Sequence, residues 1–386
     1  MSVDSKIELR ESGKGQIDVA DPCLLTPGPL TTSASVKQAM LHDYGSRSPS
    51  FMDLSQQICQ HLLELANASD SHECVPVQGS GTFAVEAMLA TLIPLHGKLL
   101  NLVNGAYGHR ISEICEYIGR ECVVLEAAED VVINPSLVDE YLVSDSSITH
   151  VSIIYCETTS GILNPLEEIA KVVAKHKCSL LIDAMSAFGA LAFDAKNIVF
   201  DGMVASSNKC LQGVPGMGFC LVASDALEKS EDNSHSLSLD LYQQAKALKK
   251  NGQWRFTPPV HCLLALAQAL EELKEEGGIS AREKRYSNNC QILREGMNSL
   301  GFKTFLAEEL QAPIIVTFLT PEHPRFDGEQ FYEKLFAKGY VIYPGKITDA
   351  DTFRIGCIGA IEEREIRGAL NSIKETLLDM DVDLTS

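Results

Sequence analysis

The sequence predicts an α/β protein: a large domain with a mostly parallel sheet flanked by helices, followed by a smaller α+β C-terminal domain. Three observations predict it. Through the middle of the chain, short β-rich runs alternate with amphipathic helical stretches, the pattern of a parallel sheet covered on both faces. From about Leu237 long helical stretches take over. Glycine- and hydroxyl-rich motifs fall at strand-to-helix turns, where ligands bind in open α/β sheets.

The elements follow in order. Cys74-Val-Pro-Val-Gln-Gly-Ser-Gly-Thr82 reads as strand, glycine turn and helix start. Residues 98–103 read as a strand, 111–117 as a helix, 121–125 as a strand and 136–143 as a helix. Residues 150–155 read as a strand, 166–176 as a helix and 178–182 as a strand that runs into Asp183. Residues 262–276 and 281–300 read as long helices broken by Gly277-Gly278. Residues 314–318 and 340–343 are isolated strands, and 361–378 is a closing helix. The implied division is an N-terminal segment, 1–30, packed on the small domain, a large domain at 31–270 and the small domain at 271–386.

Composition narrows the function. The chain has 386 residues, 45% of them hydrophobic, enough for a large core. A net charge of −20 argues against nucleic acid, which needs clustered cations, but not against a small anion held by one local arginine. The twelve cysteines are scattered, with no CxxC pair. That favours a reducing compartment without disulfides, zinc or any other metal site. The charged first residues lack the apolar core of a signal peptide, and no run approaches the roughly 20 apolar residues of a membrane span. A cytoplasmic protein with no membrane partner is expected.

Lys209 is the most informative residue. It lies in Ser206-Ser-Asn-Lys-Cys210, between a strand-like stretch and a glycine-rich loop, shortly after the strand that ends in Asp183. The pair suits pyridoxal phosphate (PLP): the lysine amine forms the Schiff base, and the aspartate keeps the pyridine nitrogen protonated so that the ring acts as an electron sink. Upstream, Gly79-Ser80-Gly81-Thr82 offers close backbone approach, a helix N-terminus and two hydroxyls to a phosphate. The competing reading, a G-x-G-x-x-A dinucleotide fingerprint, wants an acid about 20 residues on. The next strand ends instead in Asn104-Gly-Ala-Tyr107. A purely structural turn is the third reading.

Tyr107 can stack on a planar cofactor, although a loop tyrosine is more often simply packed. Thr158, Thr159 and Ser160 can bond a ring hydroxyl or cap the following helix. Arg354, in Thr352-Phe-Arg-Ile-Gly356, is the one cation of an apolar run. It suits a bidentate grip on a carboxylate, or on a phosphonate in a similar way, and the competing reading pairs it with Asp349 or Asp351.

Together these residues resemble the fold-type I PLP enzymes of the class V aminotransferase family. Within that family they are most similar to the group that moves the amino group of 2-aminoethylphosphonate to pyruvate, giving phosphonoacetaldehyde and alanine. The resemblance covers nearly the whole chain. It rests on Leu25-Thr-Pro-Gly-Pro29, Gln78-Gly-Ser-Gly-Thr82, Asp183-Ala-Met-Ser-Ala-Phe-Gly189, Ser206-Ser-Asn-Lys-Cys210, Trp254-Arg-Phe-Thr-Pro-Pro259, and the segment from Tyr343-Pro-Gly-Lys346 through Arg354 to Gly359. The Tyr-Pro-Gly-Lys lead-in separates this group from its alanine– and serine–glyoxylate relatives, which are the alternative assignment. A non-PLP dinucleotide-binding or interaction protein is the remote one.

The resemblance implies a homodimer with shared active sites. Lys209 and Asp183 would be catalytic, Ser80, Gly81 and Thr82 would hold the cofactor phosphate, and Tyr107 would stack on the ring. Thr159, or equally Thr158, would sit near the ring hydroxyl. Arg255 and Thr257 would reach the neighbouring subunit's cofactor, and Arg354 would anchor the substrate. Arg47, in Asp43-Tyr-Gly-Ser-Arg-Ser-Pro49, falls in a loop that lines the substrate pocket in this family. Its flanks partly resemble the glyoxylate-using relatives, which bears on the amino donor rather than on the cofactor.

Overall fold

The computed structural model describes residues 11–12, 16–17, 21–343, 348 and 350–385. Most of the polar stretch 1–20, the Pro-Gly-Lys-Ile part of the 343–359 motif (344–347) and Asp349 lie outside the described residues.

Seven strands make the main sheet. They are β1 (His72–Gly79), β2 (Lys98–Val103), β3 (Glu121–Glu126), β4 (His150–Ile154), β5 (Ser179–Asp183), β6 (Gly202–Ser206) and β7 (Gly216–Ala223). Their order across the sheet is β1-β7-β6-β5-β4-β2-β3. Only β7 runs antiparallel to its neighbours, so the other six strands point their carboxyl ends to one edge. All five residues of β4 and of β6 are buried, as strands covered on both faces should be.

The flanking helices are α1 (Ala34–Ala39), α2 (Pro49–Leu65), α3 (Gly81–Leu92), α4 (Ala106–Tyr117), α5 (Pro135–Ser144), α6 (Leu166–Lys175), α7 (Ser224–Lys229), α8 (Leu241–Asn251) and α9 (Val260–Glu276). Helix α10 (Ile279–Ser299) follows after Gly277 and Gly278, whose φ angles of 108° and 79° form a break that a side chain would strain. The C-terminal part contains β8 (Ile315–Leu319), α11 (Gly328–Ala337), β9 (Thr352–Gly356) and α12 (Glu363–Asp379). Strands β8 and β9 pair antiparallel, and Cys23–Leu24 pairs with Tyr340–Val341.

One apolar cluster fills the space under the main sheet, including Ile153, Ile182, Met203, Phe219 and Tyr286. Another gathers Leu25, Leu293, Phe318, Phe331, Phe353 and Ile373. Helix α10 supplies Tyr286 to the first and Leu293 and Met297 to the second.

Two elements differ from the sequence reading. The helix expected at 111–117 begins at Ala106, because a distant carboxylate, Glu157, accepts the Tyr107 and Gly108 N–H groups at 3.1 and 3.2 Å. The strand expected at 340–343 is regular only at Tyr340–Val341. Tyr343 instead makes an isolated bridge to Arg354.

Candidate active site

The carboxyl edge of the sheet ends at Gly79, Val103, Ile154, Asp183 and Ser206. There a cavity of about 530 Å³ opens, lined among others by Gly79, Ser80, Gly81, Thr82, Tyr107, Arg110, Thr158, Asp183 and Lys209. Motifs spread over some 130 residues of chain thus converge on one volume.

Lys209 follows β6. Its Nζ donates to the Pro27 carbonyl at 2.9 Å. Burial pulls its pKa below the ordinary lysine value, and the nearby Cys210 and Asp183 oppose that shift only in part. Gly28 has to be glycine: its φ is 134°, and a Cβ there would stand 2.6 Å from the Lys209 Cδ.

Asp183 ends β5 and is 5% exposed. Desolvation pushes its pKa up to about 6, and the nearby Glu157 charge adds to the rise. Oδ1 accepts the Met185 N–H at 2.9 Å. A carboxylate has about four acceptor positions, so room remains for a further donor.

At the start of α3, Ser80 is the N-cap, yet its hydroxyl makes no capping bond. The first N–H groups of a helix have no partner within the helix. A Cβ at Gly81 would stand 2.6 Å from the Met185 sulfur, so a larger residue there would displace that side chain from the cavity wall. Tyr107 sits in the first turn of α4, with the Arg110 guanidinium over its ring at 4.7 Å from the centroid. Burial raises the pKa of its phenol.

Glu157 was not singled out in the sequence, yet it organises this wall. It is fully buried and accepts the N–H groups of Tyr107, Gly108 and Thr159 and the Thr159 hydroxyl, the last two at 3.0 and 2.6 Å. Desolvation still raises its pKa. A Cβ at Gly105 would lie 2.5 Å from its Cγ, so the glycine makes room for the acid. Thr159 is consumed by this network, accepting the Ala106 N–H at 2.9 Å as well. Thr158, not Thr159, lines the cavity.

Arg354 stands beside the cavity rather than on its wall. It is 1% exposed, and Nη1 donates to the Thr158 carbonyl at 2.9 Å. Its Cζ lies 4.6 Å from the Tyr343 ring centroid, and among the described residues Nη2 has no hydrogen-bond partner. Among the described residues no carboxylate pairs with it, which counts against the structural alternative as far as Asp351 is concerned. Burial lowers its pKa.

Besides Thr159 and Arg354, three further expected residues do not line this cavity. Arg255 donates from Nη1 to the Leu237 carbonyl at 2.8 Å. Thr257 lines a separate cavity of about 400 Å³ with Phe83, Trp254 and Phe256, on the other side of Gly79, which lines both. Arg47 is exposed in the loop before α2. Arg110, in contrast, lines the site, although the sequence reading assigned it no role.

This donor set fits PLP. Ser80, Gly81, Thr82 and the α3 N-terminus match its phosphate, the open side of Asp183 matches its ring nitrogen, Tyr107 matches its ring face and Lys209 matches its carbonyl carbon.

Comparison with known proteins agrees. A model of the family "Aminotransferase class-V" matches residues 31–336. The chain is 53% identical over 366 residues to a 2-aminoethylphosphonate–pyruvate transaminase of Pseudomonas fluorescens strain Pf-5, covering 95% of this chain and 99% of that protein. An enzyme of the same name from Pseudomonas aeruginosa is 51% identical over 361 residues, 94% of this chain and 97% of that one. Among solved structures, pyridoxamine-pyruvate aminotransferase from Mesorhizobium loti matches with a TM-score of 0.87 at 24% identity, over 95% of this chain and 94% of that one. Alanine–glyoxylate aminotransferase from Nostoc sp. matches with a TM-score of 0.86 at 22% identity, over 98% and 100%. At such identities the two structures establish a shared fold.

Proposed function

The chain belongs to the class-V aminotransferases, and we propose that it is a PLP-dependent transaminase moving the amino group of 2-aminoethylphosphonate to pyruvate, with phosphonoacetaldehyde and alanine as products. The observation that carries this reading is the convergence of Lys209, Asp183 and the Ser80–Thr82 cradle on one cavity. Relatives matched almost end to end at about half identity bear that name.

When bound, PLP supplies an electron sink for the charge left on the donor carbon as its proton departs. The chain does the rest. Ser80, Gly81 and Thr82 hold the phosphate, and Tyr107 packs the ring face. Asp183 accepts the proton-bearing ring nitrogen, a hydrogen bond strengthened by charge on both partners. Burial lowers the Lys209 pKa and so favours the neutral amine, which can take the proton from the donor's amino-bearing carbon and return it elsewhere. Arg354 grips the substrate anion through its free Nη2.

We further propose a cytoplasmic homodimer. The twelve cysteines, all free thiols, suit a reducing compartment. Phe83 and Phe256, each 50% exposed, flank the second cavity, so a partner subunit there would cover them and receive Arg255 and Thr257 at its own site.

The test is the visible absorbance of the PLP-loaded protein on adding 2-aminoethylphosphonate without a keto acid. Bleaching that reverses with pyruvate, with alanine formed, supports the assignment. A protein that ignores the phosphonate but bleaches with alanine or serine and recovers with glyoxylate belongs with the glyoxylate-using relatives instead.

A further inference from the structure

Among the described residues, three charged ones line the cavity: Asp183, Lys209 and Arg110. The first two have hydrogen-bond partners in the chain, the Met185 N–H and the Pro27 carbonyl. Arg110 has neither a hydrogen bond nor an ion pair among the described residues. Its one contact of note is the Tyr107 ring, 4.7 Å from its Cζ. With 52 acidic residues against 32 basic ones, carboxylates are plentiful in this chain, yet among the described residues none forms an ion pair with this guanidinium, and Asp183 acts on it only at a distance. A cation–π contact at an exposed position is weak beside a charge-assisted hydrogen bond, so an arriving oxyanion outcompetes the ring for the guanidinium.

Arg354 is the second cation with spare capacity, through its unpartnered Nη2. Both guanidiniums lie close enough to act on the Tyr107 phenol and the Lys209 amine, and both favour the deprotonated form of each. The site therefore holds two under-used guanidiniums around one tyrosine.

The two substrates of the proposed reaction, on which this inference rests, differ in charge. Pyruvate presents a planar carboxylate with one negative charge. An alkylphosphonate presents three tetrahedral oxygens and up to two charges. One planar guanidinium forks onto a carboxylate, and a phosphonate has oxygens left for another. We propose that Arg110 is a second anion-binding residue of the substrate site, engaging phosphonate oxygens that Arg354 leaves free while Arg354 holds the anionic group of either substrate, so that Arg110 sets the preference for phosphonate over carboxylate. Arg110 is placed for this: it lines the cavity, is exposed, and stands one helical turn beyond Tyr107.

The experiment compares half-reactions of the PLP-loaded protein with three amino donors. These are 2-aminoethylphosphonate, 2-aminoethanesulfonate (tetrahedral but singly charged) and alanine. In Arg110→Gln, kcat/KM for the phosphonate should fall about 10- to 100-fold further than for alanine, with the sulfonate affected less than the phosphonate. Arg110→Lys, which keeps the charge, should recover part of the preference. An equal fall for all three donors means that Arg110 merely supports the fold and overturns the inference. So does weaker PLP binding with unchanged donor ratios, which would assign Arg110 to the cofactor phosphate. A wild type that ignores the phosphonate overturns both this inference and the proposed function. A wild type that uses it, with ratios unmoved in Arg110→Gln, overturns the role of Arg110 alone.

Discussion

Arg282 and Arg354 are both 1% exposed, and their surroundings are opposite. Arg282 bonds Glu276 through Nε and Nη2 at 2.9 and 2.8 Å and the Cys210 carbonyl through Nη1 at 2.9 Å. Arg354 has one carbonyl, one aromatic face and an idle Nη2. The carboxylates divide in the same way. Glu157 accepts four donors, whereas Asp183 accepts one. Burying a charge is unfavourable unless it is paired. Complete pairing marks a group that holds the fold together, and incomplete pairing marks one kept for a ligand.

Substitutions can break or sharpen this contrast. Lys209→Ala should show the largest effect, a loss of turnover of about 10⁴-fold or more with melting temperature little changed. Appreciable transamination by that variant would sink the assignment of the lysine. Arg282→Ala should do the reverse, lowering stability by about 3–5 kcal/mol in denaturant titrations because it strips a buried network of one partner. If it melts like wild type, full pairing does not identify a structural charge.

Asp183→Asn should separate the two roles in one residue. The folded pKa of about 6 lies above the 3.8 of the free side chain, so the stability linked to this group is complete below about pH 4 and lost as pH rises through about 6. The cofactor-free variant should therefore be more stable than cofactor-free wild type at pH 8, by up to about 3 kcal/mol, and similar to it near pH 4. Its turnover should still drop, since the ring nitrogen loses its charged partner. Equal melting curves at both pH values would show that the wild-type carboxylate is not strained by burial. Arg354→Lys should have the smallest effect, weakening the aminophosphonate and pyruvate together by about 10- to 100-fold in KM as the forked grip is lost. Unchanged kinetics for both acids would remove Arg354 from the site.

The half of this contrast that faces ligand was largely legible in the sequence. Strand β2 occupies the expected residues 98–103, and Asp183 closes its strand as anticipated. Both follow from local signals, an apolar run and its end. Cavity-lining Ser80, Gly81, Thr82, Tyr107 and Lys209 stand at turns whose glycines and hydroxyls are visible one residue at a time. The closed half was not legible. Glu157 caps a helix whose first turn lies some fifty residues earlier, and nothing near it announces that partnership. The same cap explains the late start assigned to α4, since the glycines of its first turn suggest a loop when read locally. The choice between Thr158 and Thr159 was left open for a related reason. Neighbouring threonines are equivalent until the backbone turns one toward the cavity and the other toward Glu157.

The stretch from Cys23 to Thr31 has a consequence for how the site can move. Cys23 donates its N–H to the Gly339 carbonyl and Leu25 to that of Val341. Leu25 in turn accepts from Gly356, Pro27 from the Lys209 amine, and Thr31 from Ala360. This single strap stitches the strand that carries Arg354 to the lysine across the cavity. The substrate-gripping arginine and the proton-moving lysine are thus mechanically geared, and a displacement of one pulls on the backbone that orients the other.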